Sequence, residues 1–167
     1  NPGVYVDALA SARYYLSIQP KLQWIPFYAV GLSLGGGNPN SVVSSFRLGG
    51  IPRVQQNDIR VMGLQFGEVV SANFGLVGIQ LQHILWDDLF LKYGFNLLAY
   101  HPYRSLEDWG ALFSNGDYGA FTGLTGFGAE ARFRTFFGPI SAGISTNSLD
   151  WQPRYYLGLG FSFNYSD

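Results

Sequence analysis

Leu89-Phe90-Leu91-Lys92-Tyr93-Gly94-Phe95-Asn96-Leu97-Leu98-Ala99 is the stretch whose reading decides the fold. Its odd positions, Leu89, Leu91, Tyr93, Phe95, Leu97 and Ala99, are apolar, while the even positions include Lys92, Gly94 and Asn96. Side chains of a strand point alternately to its two faces, so this segment has one greasy face and one small or polar face. The same period of two returns at Gly126–Arg134, where Phe127, Ala129, Ala131 and Phe133 alternate with Gly126, Gly128, Glu130, Arg132 and Arg134. It returns again at Tyr155–Tyr165, where Leu157, Leu159, Phe161 and Phe163 alternate with Gly158, Gly160, Ser162 and Asn164.

Similar faces are expected at Ala10–Ile18, Leu22–Leu34, Val42–Leu48, Val77–Leu81 and Ile140–Ile144, giving about eight strands. Most are near the roughly 10 residues that a tilted membrane strand needs, longer than the 5–6 typical of soluble sandwiches. The polar phase is rich in Gly, Ser and Gln, whereas the wet face of a soluble sheet would be rich in Lys, Glu and Thr. Composition agrees: 13% of the 167 residues are charged, 17% are aromatic, 22 are Gly and none is Cys. Soluble domains carry about 25% charge. A mean hydropathy close to zero shows that apolar and polar residues are interleaved, not segregated. No run reaches the roughly 18 apolar residues of a membrane helix. The expected fold is therefore all-β, an antiparallel transmembrane β-barrel of a Gram-negative outer membrane. Its surroundings would be outer-membrane lipid and lipopolysaccharide. A net charge of -1 with no basic stripe argues against nucleic acid.

The whole of 1–167 reads as one barrel segment with short turns on one side and long loops on the other. Trp86–Leu89 and Phe137–Pro139 are tight links, while 49–72 and 101–121 are long, and the short link Gln19–Lys21 departs from the pattern. With the C-terminus periplasmic, the long links face outward. Trp24, Trp86, Tyr100, Tyr103, Trp109, Trp151 and Tyr155 lie near segment ends, where amphipathic rings form interfacial belts.

Charges fall in the polar phase. Arg on a lipid face costs about 2–4 kcal/mol near the midplane, so Glu130, Arg132 and Arg134 are assigned to the barrel interior. Arg13, Arg47 and Lys92 share the phase of the small and polar positions in their own strands and are assigned there too. On this assignment Phe95→Arg would block assembly and Asn96→Arg would be tolerated.

Catalytic signals are weak. Gly31-Leu32-Ser33-Leu34-Gly35 spells G-x-S-x-G, but a nucleophile elbow needs a strand turning sharply into a helix, and Gly36-Gly37-Asn38-Pro39-Asn40 is turn chemistry. His83 and His101 have no companions at triad or metal spacing, and Asp87-Asp88 sits in a tight turn. The sequence calls for no catalytic residue, cofactor or metal.

Phe46-Arg47-Leu48-Gly49-Gly50, followed by a long link and Val61-Met62-Gly63-Leu64, resembles the bacterial surface antigen superfamily of outer-membrane assembly and translocation barrels. That family has a Gly-Gly motif entering an extracellular loop that folds back into the lumen, with a Val-Arg-Gly-aromatic tip. Met62 stands where the family places its Arg and Leu64 where it places the aromatic, with Arg60 and Arg53 nearby. Phe136-Phe137-Gly138-Pro139-Ile140 resembles the family's Gly-Pro turn before its penultimate strand, and the chain ends on an aromatic strand as the family does. The spelling of Phe46–Gly50 is most similar to barrels attached to patatin-like lipases. The resemblance implies the C-terminal half of a sixteen-stranded barrel, with 49–72 reaching inward and Phe46, Gly49, Gly50, Arg60 and Gly63 as its loop motif. It implies an anchoring, translocating or assembly role, with the remaining barrel half or an N-terminal domain as partner. The alternative from the residues alone is a self-contained eight-stranded structural or adhesive barrel, in which the long loop would have little room.

Overall fold

The computed structural model of the chain describes residues 5–35, 46–49, 58–65, 67–101 and 122–159. These residues are all-β, with no helix among them. The strands are β1 (Tyr5–Arg13), β2 (Leu16–Gln19), β3 (Leu22–Gly35), β4 (Phe46–Leu48), β5 (Asp58–Ile59), β6 (Val69–Ser71), β7 (Asn73–Trp86), β8 (Leu89–His101), β9 (Thr122–Thr135), β10 (Gly138–Asn147) and β11 (Arg154–Leu159).

Eight of them form one antiparallel sheet in the order β1-β3-β7-β8-β9-β10-β11, with β2 also on β3. Consecutive long strands are sequence neighbours, as expected of hairpins with tight turns at residues 20–21, 87–88 and 136–137. Among the described residues β1 and β11 are the two ends of the order, so the sheet is not closed. The remaining three form a small sheet, β5-β4-β6, with β4 parallel to β5 and antiparallel to β6.

Several expected boundaries change. The expected strand Ala10–Ile18 is interrupted at Tyr14–Tyr15, between β1 and β2. Val77–Leu81 is the middle of the much longer β7. Of Val42–Leu48, residues 42–45 lie outside the described set, and Phe46–Leu48 belongs to the small sheet, not to the large one. A short alternating run specifies a strand but not which sheet receives it. Much of the expected loop 101–121 and of the last strand also lies outside the described residues.

Register fixes the faces. Arg13, Phe27, Gly78, Asn96, Gly126 and Asn147 lie in one cross-strand row. The described residues of 46–71, hereafter the docked segment, pack on this side of the sheet, hereafter the covered face. Phe46, Leu48, Ile59, Val61 and Leu64 from that segment meet Ala29, Phe74, Leu76, Leu98 and Leu124 from the sheet in one buried cluster. Phe46 sets its ring edge-on to Phe74 at 5.1 Å. This cluster is the hydrophobic core, and it lies between the docked segment and one end of the sheet.

The opposite face carries the apolar phase and is open. One row runs Trp24, Leu81, Tyr93, Ala129, Ile144 and Tyr155; the next pairs Ile79 with Phe95 and Phe95 with Phe127. Val77 is 53% exposed and Leu157 72%. A sheet that buries Asn96 and Gln80 while exposing Val77 and Leu157 has its polarity reversed relative to a water-soluble sandwich.

Candidate functional site beneath the docked segment

The turn at residues 61–64 is the tip of the docked segment, and glycine makes its seat. Gly63 has φ +84°, a left-handed conformation that favours glycine, and an added Cβ would overlap the Thr146 carbonyl. Met62 lies over Gly94, Gly126 and Gly128 of β8 and β9, and a Cβ on Gly126 would strike its carbonyl oxygen. Glycines inside strands mark such close backbone approaches. Two buried asparagines then clamp the tip. The Met62 N–H donates to Asn96 Oδ1 at 2.8 Å, and Asn147 Nδ2 donates to the Gly63 carbonyl at 2.5 Å.

A polar row crosses the sheet beside this seat: Gln23, Gln82, Lys92, Glu130, Gly143 and Tyr156. Glu130 is its centre, with a side chain only 3% exposed. Arg60 Nη2, from the docked segment, lies 2.5 Å from Glu130 Oε2, and Arg132 Nη2 lies 2.9 Å from Oε1. Each carboxylate oxygen therefore has its own guanidinium, which offsets the cost of burying the charge. Arg60 Nη2 also donates to the Tyr156 hydroxyl at 3.3 Å. The Tyr156 ring fits because its neighbour is Gly143, where a Cβ would overlap the phenol. At the rim, Arg154 Nη2 bridges Glu68 at 2.7 Å and Asp150 at 2.9 Å, tying β11 to the docked segment and to the turn before it.

No protein-family model, curated protein or solved structure matches the chain.

The structure brings some of the expected interior residues together and leaves others apart. Lys92, Glu130 and Arg132 join Arg60 in one cluster. Arg13 and Arg134 share the covered face by register but sit away from that cluster, over the rings of Phe27 at 5.7 Å and Phe90 at 5.4 Å. Arg47 lies in β4 of the small sheet, between buried Phe46 and Leu48, and not in a strand of the large sheet. Phe46 is a core residue. The Gly49 N–H donates to the Ile59 carbonyl at 2.8 Å, and its φ of +121° suits glycine. Gly50 lies outside the described residues.

Ser33 lies within β3, which runs on to Gly35, so it is not on a strand-to-helix elbow. Its hydroxyl donates to Asp7 at 2.6 Å. His83 is exposed on β7, and His101 is buried at the end of β8, where its carbonyl accepts from the Ser71 hydroxyl at 2.7 Å. Reading for charge and motif missed Asn96, Asn147 and Tyr156. Each is polar in the covered phase of a strand whose other face is apolar, which is the signal that could have found them.

This arrangement holds the docked turn against the sheet through two neutral clamps and one buried ion cluster. It is a docking seat, and its chemistry is electrostatic.

Proposed function

We propose that the chain is part of the wall of a Gram-negative outer-membrane β-barrel that serves as an anchor, translocator or assembly-type pore, with the docked segment folded into its interior. One observation carries the reading: the sheet turns its apolar residues outward and its charges toward the docked segment. Such a face is stable where the surroundings are hydrocarbon. The resemblance of Phe46–Gly50 and Val61–Leu64 to the surface antigen barrels, including those of patatin-like lipases, supports the same reading. Among the described residues the edges at β1 and β11 have no partner strand, and a sheet within lipid must have every edge paired. Further strands of a larger barrel would meet that need, which favours a half-barrel over a self-contained eight-stranded one. The chain's role is mechanical in this reading, and any hydrolase would be a separate domain.

The test is quenching by brominated lipid. Trp24, Trp86 and Trp151 are 47%, 68% and 63% exposed. With the native protein reconstituted into vesicles, bromine on the acyl chains is expected to quench tryptophan emission strongly, whereas aqueous iodide is expected to quench little. Strong iodide quenching with no effect of bromolipid would sink the proposal.

A further inference from the structure

Glu130 is shared by more cations than it can neutralise. Its two oxygens are taken by Arg60 and Arg132, and Lys92 is its direct cross-strand neighbour on β8. Among the described residues Lys92 has no ion pair. Three cations among the described residues thus face one carboxylate, which leaves an excess of two positive charges on a half-buried patch of the sheet. Arg154 adds nothing to this excess, since Glu68 and Asp150 occupy it.

The excess charge borders a cavity. A space of about 200 Å³ lies between the docked turn and the sheet, bounded by Arg60, Gln80, Lys92, Glu130, Ser145 and Tyr156. At a liquid share of about 30 Å³ per water, it has room for several waters or one small oxyanion. Glu130 is the only carboxylate lining it among the described residues. β8 is the middle strand of the sheet order, and Lys92 lines the cavity together with Val61 and Met62 of the docked turn.

We propose that this cavity is a binding site for a phosphate group, held by the Lys92 ammonium and the spare N–H donors of Arg60, with Gln80 and Ser145 as neutral partners. Guanidinium and ammonium groups together in a partly dry pocket form strong charge-assisted hydrogen bonds to such oxygens. The site concerns the covered face and the docked turn, so it goes beyond the membrane reading and does not depend on it. The phosphate could belong to a free ion or to a lipid headgroup.

The test is calorimetric titration of the full-length protein in uncharged detergent micelles with inorganic phosphate, at constant ionic strength set by sodium chloride. One saturable site is expected, weakened at least about tenfold in Lys92→Gln, as for loss of one charged hydrogen bond. Lys21→Gln, on an exposed turn, is expected to leave it unchanged. Far-UV circular dichroism reports whether the Lys92 variant is folded, and Lys92→Arg, which keeps the charge, is expected to retain binding within a few-fold. A short-chain phosphatidylglycerol that competes with phosphate would assign the site to a lipid headgroup; failure to compete would assign it to the free ion. Absence of saturable phosphate binding by the wild type, or equal binding by wild type and a folded Lys92→Gln, overturns the proposal.

Discussion

Asn96 accepts the Met62 backbone N–H through Oδ1 at 2.8 Å, joining the centre of β8 to the tip of the docked segment. Asn96 is 0% exposed. Sequence alternation alone assigns it to a polar face that tolerates Arg, and the structure overturns that expectation, because the docked turn covers the position. Asn96→Arg is expected to expel the turn. Asn96→Ala leaves the Met62 N–H unsatisfied and is expected to cost about 1–3 kcal/mol, read as a lowered denaturation midpoint. An Asn96→Arg variant with unchanged protease resistance of the segment 58–71 would refute the seat.

Glu130 makes a harsher prediction. Removing one partner of a buried ion cluster leaves charges without compensation and costs about 3–5 kcal/mol. Arg60 and Arg132 are 28% and 36% exposed, so Glu130→Gln is expected near the lower end, about 3 kcal/mol. The companion Arg60→Gln is expected to cost less, because Arg132 still neutralises Glu130. Chemical denaturation of both variants checks the order, and equal losses would mean that Arg132 does not compensate.

The fold was legible in the sequence where the two faces of a strand differ in chemistry. Leu89–Ala99 and Gly126–Arg134 show their faces directly, because apolar residues alternate with Gly, Asn and charge. Legibility failed where the docked segment adds a second apolar environment. Leu76, Leu98 and Leu124 lie in the covered phase yet are buried, because Phe46, Leu48 and Val61 pack on them. The adjacent pair Leu97-Leu98 was the available sign of a strand apolar on both faces at that point. Phe46–Leu48 misled for the same reason: its alternation belongs to a strand whose partners are the residues of the docked segment. In the site, the charge on Glu130 could be read from sequence, but its partner Arg60 is 70 positions away and no local pattern links them.

Glycine substitutions separate close approach from mere strand composition. A Cβ at Gly126 would collide with the Met62 carbonyl, which is backbone and cannot swing aside. Gly126→Ala is expected to destabilise by about 1–3 kcal/mol, the usual cost of overpacking. Gly75 and Gly123 have open space where a Cβ would go. Alanine there is expected to be neutral or to stabilise by about 0.4–1 kcal/mol through the unfolded chain. Similar thermal midpoints for Gly126→Ala and Gly123→Ala would contradict the seat geometry.

Asp150, in the turn before β11, predicts a pH dependence. Hydrogen bonds from Arg154 and from the Gln152 N–H hold its carboxyl below the ordinary value of 3.8. A depressed folded pKa contributes stability that is fully present above 3.8 and lost as pH falls through the depressed value. The wild type is therefore expected to lose stability below that pH more steeply than Asp150→Asn. Parallel stability curves for the two proteins in acid would show that the turn ion pair contributes nothing.

The open face gives the prediction that separates a membrane wall from a water-exposed sheet. Leu97 is 45% exposed on the central strand β8, and its cross-strand neighbours there are Val77 and Thr125. In water, Leu97→Arg would replace an exposed apolar side chain by a soluble one, changing stability by no more than about 0.5 kcal/mol. In hydrocarbon, the same substitution near the midplane costs about 2–4 kcal/mol. Phe95→Arg would be less decisive, because Phe95 also packs on the Phe127 ring at 5.2 Å, and its loss costs stability in either medium. Leu97→Arg is therefore the cleaner probe, measured as the folded fraction in lipid vesicles across a urea series. A midpoint shift corresponding to about 2 kcal/mol or more is expected. An unshifted midpoint would place the open face in water, and a different covering for its apolar rows would then be required.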